Sequence, residues 1–210
     1  DLYAKWSAIL EGANGINVQY SSIDTKNEIN GHFGNDETKV DYGAMYENRD
    51  NLLRHAYTRF KERGSGDKEY KAFLKNEADW LTDYALFTAL KRKYEGASWL
   101  DWDEDIKRRK PAAISDICKE LKDDIEFVYF KQYQFDKQWR ALKEYANDKN
   151  VKIIGDLPFY VSLDSADCWA HPEVFQMDKD LKPKVVAGCA PDAFSRTGQL
   201  WGNSIYDWKA

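Results

Sequence analysis

The chain has 210 residues, a formal net charge of −5 and 32% charged residues, enough length for a sizeable core in one or two domains. Acidic and basic side chains are mixed along it, so there is no basic stripe of the kind a phosphate backbone needs, and nucleic acid is not an expected partner. No stretch approaches about 18 apolar residues and no signal-type apolar run opens the sequence, so no membrane partner is expected either. Cys118, Cys168 and Cys189 are odd in number and far apart, without a CxxC or Cys/His ligand spacing. Neither a disulfide framework nor a zinc site is expected, no cofactor or metal is implied, and a reduced cytoplasmic setting is favoured.

In chain order, residues 1–36 read as a loop-rich arm: Leu2, Trp6 and Leu10 have loose helical spacing, then Asn, Ser, Asp and Gly dominate. The absence of an initial methionine suggests an excised piece. From Asp41, a capping residue, Tyr42, Met45, Tyr46, Leu52, Leu53, Ala56 and Phe60 recur near the 3.6 period until Gly64-Ser65-Gly66. A second helical region runs from about Asp67 to Tyr94, interrupted near Asn76 and closed at Gly96. Its aromatic face reads first as core packing and second as a sugar platform. In Ser98–Asp105, Trp99 and Trp102 are expected to plug the core. The KRRK run at Lys107–Lys110 reads as a solvated approach to the helix that Pro111 opens. That helical pattern continues from Ile117 to Ala146. The domain reading is an arm over 1–36, a helical insertion over 37–110 and an α/β segment over 111–210.

The stretch from Val151 to Trp208 organises the rest. Val151, Ile153 and Ile154 predict a strand that stops at Gly155-Asp156, presenting a carboxylate at its carboxyl end. A long helix feeding a short apolar strand implies a parallel sheet. Phe175–Met177 and Lys184–Val186 flank Asp178–Pro183 as a short hairpin. Further on, Asp, Gln, Asn, Ser and Thr alternate with Trp, Tyr and Phe in a Gly-punctuated segment. Hydrogen-bonding groups interleaved with flat rings suit a sugar, and the eight tryptophans and thirteen tyrosines of the chain are compatible with that.

Three ordered words carry a resemblance: G-D-L-P-F-Y-V, then D-S-A-D-x-W-A-H-P-E-x-F, then V-A-G-x-x-P-D-x-F-S-x-T-G-Q-L-W-G-N-x-x-Y-D-W. Together they resemble the 4-alpha-glucanotransferases (amylomaltases, or disproportionating enzymes). A weaker likeness runs through Val40–Arg49 and Trp80–Lys91. The resemblance implies an α/β fold, part of a (β/α)8 TIM barrel with a large helical insertion, helix-rich overall. It implies transfer of α-1,4-glucan segments between maltodextrins by a retaining double displacement, which needs two carboxyl groups about 5–5.5 Å apart. The family's nucleophile lies in an R-I-D-H-F-R-G-like segment, its acid/base in an A-E-D-L-G-like segment and a third Asp in a T-H-D-N-like segment. None of these occurs here, so no catalytic residue is assigned and the isolated chain is expected to be an inactive fragment. The alternative is a non-catalytic glucan-binding or structural domain.

What the resemblance does place in this chain is a glucan-contacting set: Asp156 at the strand end, and Asp192, Phe194, Gln199, Trp201 and Asn203 on a loop over the sugar. Ala193 stands where the family often has Tyr, and Ser204 where it usually has Pro. Asp156 could instead cap the following turn, and Trp201 could be a core residue. Asp164 and Asp167 are expected to cap the short helix through Trp169. His171 is expected to be structural. An unpaired barrel strand at Val151 would favour self-association.

Overall fold

Two stretches, residues 38–63 and 66–209, are described by the computed structural model. The arm expected over 1–36 and most of the Gly64–Gly66 break lie outside them. Among the described residues the elements are α1 (Tyr42–Arg63), α2 (Lys68–Asn76), α3 (Ala78–Lys93), α4 (Glu104–Lys107), α5 (Pro111–Glu120), α6 (Lys122–Asp148), α7 (Ala166–Ala170), β1 (Val186–Cys189) and β2 (Gln199–Ser204). Single 3-10 turns cover Trp99–Asp101 and Pro172–Val174. No helix among the described residues is long and apolar enough to cross a membrane.

The backbone divides into two compact units. Of the first, residues 38–63, 66–76 and 130–151 are described; the second comprises 77–129 and 152–209. This division does not follow the boundaries set from composition at 36/37 and 110/111. The reason is α6, whose first eight residues pack in the second unit while the remainder belongs to the first.

In the first unit, the Asp41 carboxylate accepts a hydrogen bond from the Ala44 N–H (2.9 Å) and starts α1 as expected. The early turns leave Tyr42 and Tyr46 in solvent, whereas Ala56, Tyr57 and Phe60 are buried. They meet Tyr70 and Phe73 of α2 and Phe130 and Tyr133 of α6 in a cluster of rings. Phe60 lies 5.0 Å from both Tyr70 and Phe130, and Tyr133 lies 5.2 Å from Tyr70 and 5.5 Å from Phe73. Each pair contributes about 0.5–1.5 kcal/mol beyond the area it buries. The Tyr133 hydroxyl is buried without a hydrogen bond of good geometry. Burial first, and then the nearby Asp67 and Glu69 carboxylates, push its pKa up to about 12.

In the second unit, Ala85, Leu86, Phe87, Ala89 and Leu90 of α3 face a core that also holds Trp99, Trp102, Ile106, Ile117, Cys168 and Trp169. Trp99 and Trp102 are core residues, as expected. The Trp99 indole donates to the Leu163 carbonyl (2.7 Å) and the Trp169 indole to the Ile106 carbonyl (3.2 Å), so neither buried N–H is stranded. The KRRK run is not simply solvated. Lys107 and Arg108 pair with Glu104, Lys110 with Asp105, and Arg109 with Asp83 (2.5 Å), its guanidinium 4.3 Å from the Trp169 ring centroid.

One expected element is absent. Residues 151–159 form no strand and are exposed throughout, Ile154 to 94%. A strand is defined by hydrogen bonds to a neighbour, and no described strand lies beside Val151–Ile154. The expected parallel sheet is likewise not present among the described residues; β1 and β2 pair antiparallel. The expected hairpin does form. The Asp178 N–H donates to the Lys182 carbonyl (2.8 Å), the Lys184 N–H to the Gln176 carbonyl (2.9 Å), and Met177 bridges Pro183.

Candidate functional site

β1 and β2 hold the loop 190–198 between them. The loop is closed by its own backbone: the Asp192 N–H donates to the Ser195 carbonyl (2.9 Å) and the Gly198 N–H to the same oxygen (3.2 Å). The Ser195 hydroxyl donates to the Gly198 carbonyl (2.7 Å). Gly198 has φ +74°, and a Cβ there would lie 2.5 Å from the Cys189 carbonyl oxygen, so only glycine fits this return.

The Asp192 carboxylate is the hub of the loop. One of its oxygens accepts from the Phe194 N–H (2.9 Å) and the Ser195 N–H (2.8 Å); the other lies 3.8 Å from the Cys189 thiol. The Ser195 N–H and then the Phe194 N–H hold its pKa below the usual carboxylate range. A general acid needs the opposite shift, which counts against a catalytic acid at this position. With its carboxylate turned to the backbone, Asp192 presents the Phe194 ring, 96% exposed, at the loop tip.

On β2, Gln199 and Trp201 are neighbours on one face, and the Trp201 indole N–H donates to Gln199 Oε1 (2.8 Å). Trp201 is 49% exposed and is therefore not a core plug. Asn203 is half-buried, and its Nδ2 donates to the Val161 carbonyl (3.0 Å). Asp156 lies on the exposed segment 151–159 and makes no hydrogen bond or ion pair among the described residues, so it does not cap the turn after it. The loop and β2 thus bring together Asp192, Phe194, Gln199, Trp201 and Asn203. Asp156 stands outside this set, on the exposed segment 151–159.

The DSAD carboxylates do not cap α7. Ser165 does, its hydroxyl accepting from the Cys168 N–H (3.3 Å). Asp164 is drawn away by the Lys91 ammonium (2.7 Å) and the Trp99 N–H (3.3 Å). A buried contact from the Cys168 thiol to the Ser204 hydroxyl (3.5 Å) anchors the end of β2 on α7. His171 lies 3.3 Å from Glu173 and 3.8 Å from Asp83. Among the described residues no group of three or more His, Cys, Asp or Glu is placed to hold a metal ion.

A sequence model of the 4-alpha-glucanotransferase family matches residues 3–210. The chain belongs to the 4-alpha-glucanotransferase family. Among its relatives, the 4-alpha-glucanotransferase of Clostridium butyricum is 47% identical over 178 residues, which are 84% of this chain and 36% of that protein. That of Aquifex aeolicus is 45% identical over 80% of this chain and 34% of its own length. This family member therefore spans about a third of the length of the curated relatives it matches. An amylomaltase structure from Streptococcus agalactiae, in complex with acarbose, superimposes with a TM-score of 0.82 at 41% identity. The match covers 90% of this chain and 38% of that one, so the helix-rich fold described above is shared with an amylomaltase. Two features of the site escaped the sequence. The Asn203–Val161 bond and the contact of Trp201 with Tyr160 join segments about forty positions apart, and no local pattern signals them.

Proposed function

We propose that this chain supplies the glucan-contacting loop of an enzyme that transfers α-1,4-glucan segments between maltodextrins by a retaining double displacement. The observation that carries the reading is the self-closed loop 190–198 with its presented ring, running into a strand that leaves Trp201 half in solvent. A pyranose offers hydroxyls at its rim and a weakly apolar face, and rings beside amides match both. The two reacting carboxyls lie on residues outside this chain; what the chain contributes is binding and orientation, which count for as much as the chemistry they serve. Asp156, exposed and without a hydrogen bond or ion pair among the described residues, accepts a hydrogen bond from a sugar hydroxyl. Phe194 and Trp201 offer ring faces, and the outward amide nitrogen of Gln199 donates. The test is disproportionation of maltotriose by a complete enzyme carrying this sequence. Asp156→Asn and Phe194→Ala each lower kcat/KM at least tenfold at unchanged melting temperature; normal kinetics in both defeat the reading.

The finer architecture belongs to the same proposal. The run from Val151 to Gly155-Asp156 serves as a strand of a (β/α)8 barrel, 37–110 as its helical insertion and 111–210 as the barrel segment. The run of nine exposed residues supports this, since apolar side chains such as Ile154 and Leu157 call for a cover. In the isolated chain that edge pairs with a second copy, and a strictly monomeric species in concentrated solution refutes this. Three free cysteines support a cytoplasmic setting. A second reading, a glucan-binding or structural domain without turnover, draws on the absence of the three catalytic segments from the sequence. Binding of maltoheptaose by the chain with no transfer favours it.

A further inference from the structure

Tyr160 stands inside the G-D-L-P-F-Y-V word. Its ring centroid lies 6.4 Å from that of Trp201, with the two planes inclined at 55°. Phe159 flanks Tyr160 at 4.8 Å and is itself exposed. Side-chain hydrogen bonds fix this arrangement from both ends. Asn203 Nδ2 ties the end of β2 to the Val161 carbonyl, one residue beyond Tyr160 (3.0 Å). Gln199 Oε1 holds the indole of Trp201 by its N–H (2.8 Å). Tyr160 and Trp201 are therefore not two rings that happen to be near. Each is set by a bond made next to it in the chain.

The inclination has a chemical counterpart. An α-1,4-linked glucan curves, so the apolar faces of successive pyranose rings are turned relative to one another. A β-1,4-linked glucan is an extended ribbon, and its faces suit coplanar rings. We infer that Tyr160 and Trp201 form one two-ring platform for adjacent units of an α-1,4-glucan, and that Asn203 is a positioning residue for that platform rather than a direct ligand. The inference rests on the glucan-binding reading above and sharpens it: Tyr160 joins the contact set, and Asn203 leaves it for a supporting place. Asn203 is half-buried with its amide nitrogen committed to Val161, which suits a staple better than a group waiting for a hydroxyl.

The test uses the 210-residue chain itself. Its indole N–H resonance from Trp201, assigned by its loss in Trp201→Phe, is followed by nuclear magnetic resonance during titration with maltoheptaose and, separately, cellohexaose. Maltoheptaose shifts the resonance saturably and cellohexaose does not. Tyr160→Ala raises the dissociation constant about three- to tenfold, the range a single ring contact commands. Tyr160→Leu, which keeps bulk without a flat face, does the same, and Tyr160→Phe stays within about twofold. In Asn203→Ala the ring-to-ring Overhauser contact of the unliganded chain disappears and the dissociation constant rises by a like factor. Wild-type affinity in both Tyr160→Ala and Tyr160→Leu, with Trp201 still responding, overturns the platform and leaves the glucan-binding reading standing. Persistence of the ring contact in Asn203→Ala removes the positioning role. A Trp201 resonance that no glucan moves sinks the platform and the reading beneath it together.

Discussion

Three glycines around the β1–β2 pair separate backbone strain from steric clash in a single experiment. Gly202 has φ +80° and open space where a Cβ would go, so Gly202→Ala adds strain alone. Placing an L-residue in the left-handed region costs about 1–2 kcal/mol. Gly188 lies outside that region, but its Cβ would stand 2.8 Å from the Gln199 carbonyl oxygen, so Gly188→Ala adds clash alone. Overpacking of this kind costs about 1–3 kcal/mol. Gly198 combines the two, with φ +74° and a Cβ 2.5 Å from the Cys189 carbonyl oxygen. Its near neighbours are backbone atoms of Ala190 and Pro191, both 3.2 Å away, which cannot turn aside as a side chain would. Gly198→Ala is therefore the most costly, at roughly 2–5 kcal/mol if the two effects add. At about 2–4 °C per kcal/mol for a chain of this size, that is a fall of roughly 4–20 °C in Tm. Thermal melts followed by near-ultraviolet circular dichroism, which reports on the packed tryptophans, read it. Equal losses for Gly198→Ala and Gly202→Ala refute the close approach, and an undisturbed Gly188→Ala refutes the packing of the two strands.

Three other outcomes are expected. Trp201→Ala in a complete enzyme lowers kcat/KM by about ten- to a hundredfold, with each 1.36 kcal/mol worth tenfold. Its Tm holds because the ring is already half in solvent; a large drop in Tm with normal kinetics shows that packing has been mistaken for binding. The isolated chain releases no glucose from maltotriose and builds no longer dextrins, and turnover that disappears in Asp156→Asn contradicts this. The Tyr133 phenol, raised to about 12 in the fold from an ordinary value near 10, stays neutral while its unfolded counterpart ionises. Its contribution to stability is complete below about pH 10 and is lost as pH climbs through 12, so Tyr133→Phe flattens the alkaline limb of the Tm–pH profile. An unaltered limb rejects the assignment.

What the sequence disclosed was what neighbouring residues decide. The Asp41 cap, the interruption near Asn76 and the start of α5 at Pro111 each depend on a few adjacent positions. Trp99 and Trp102 were legible as core because so large an apolar surface in a short loop has nowhere else to go. The site loop was legible through its words, which name the residues but not their duties. Those duties come from partners distant in the chain. Asp164 looked like a cap until Lys91 claimed it, and Arg109 looked solvated until Asp83 and Trp169 were brought to it. The expected strand at Val151 failed for the same reason in reverse: its composition is right, but a strand also requires a neighbour.

Lys91 shows what such a distant partnership does to reactivity. Its ammonium donates to the Gly96 carbonyl (2.6 Å), the Ala97 carbonyl (2.8 Å) and the Asp164 carboxylate (2.7 Å), one acceptor for each of its three hydrogens. An ammonium with all three hydrogens engaged is held away from a reagent until the latch opens. Against acylating reagents Lys91 is then a slow amine among fast ones, and its labelling rate is a clock for the opening of the α3 terminus. Arginine is no substitute at this position, because a planar fork cannot converge on three acceptors that surround a point.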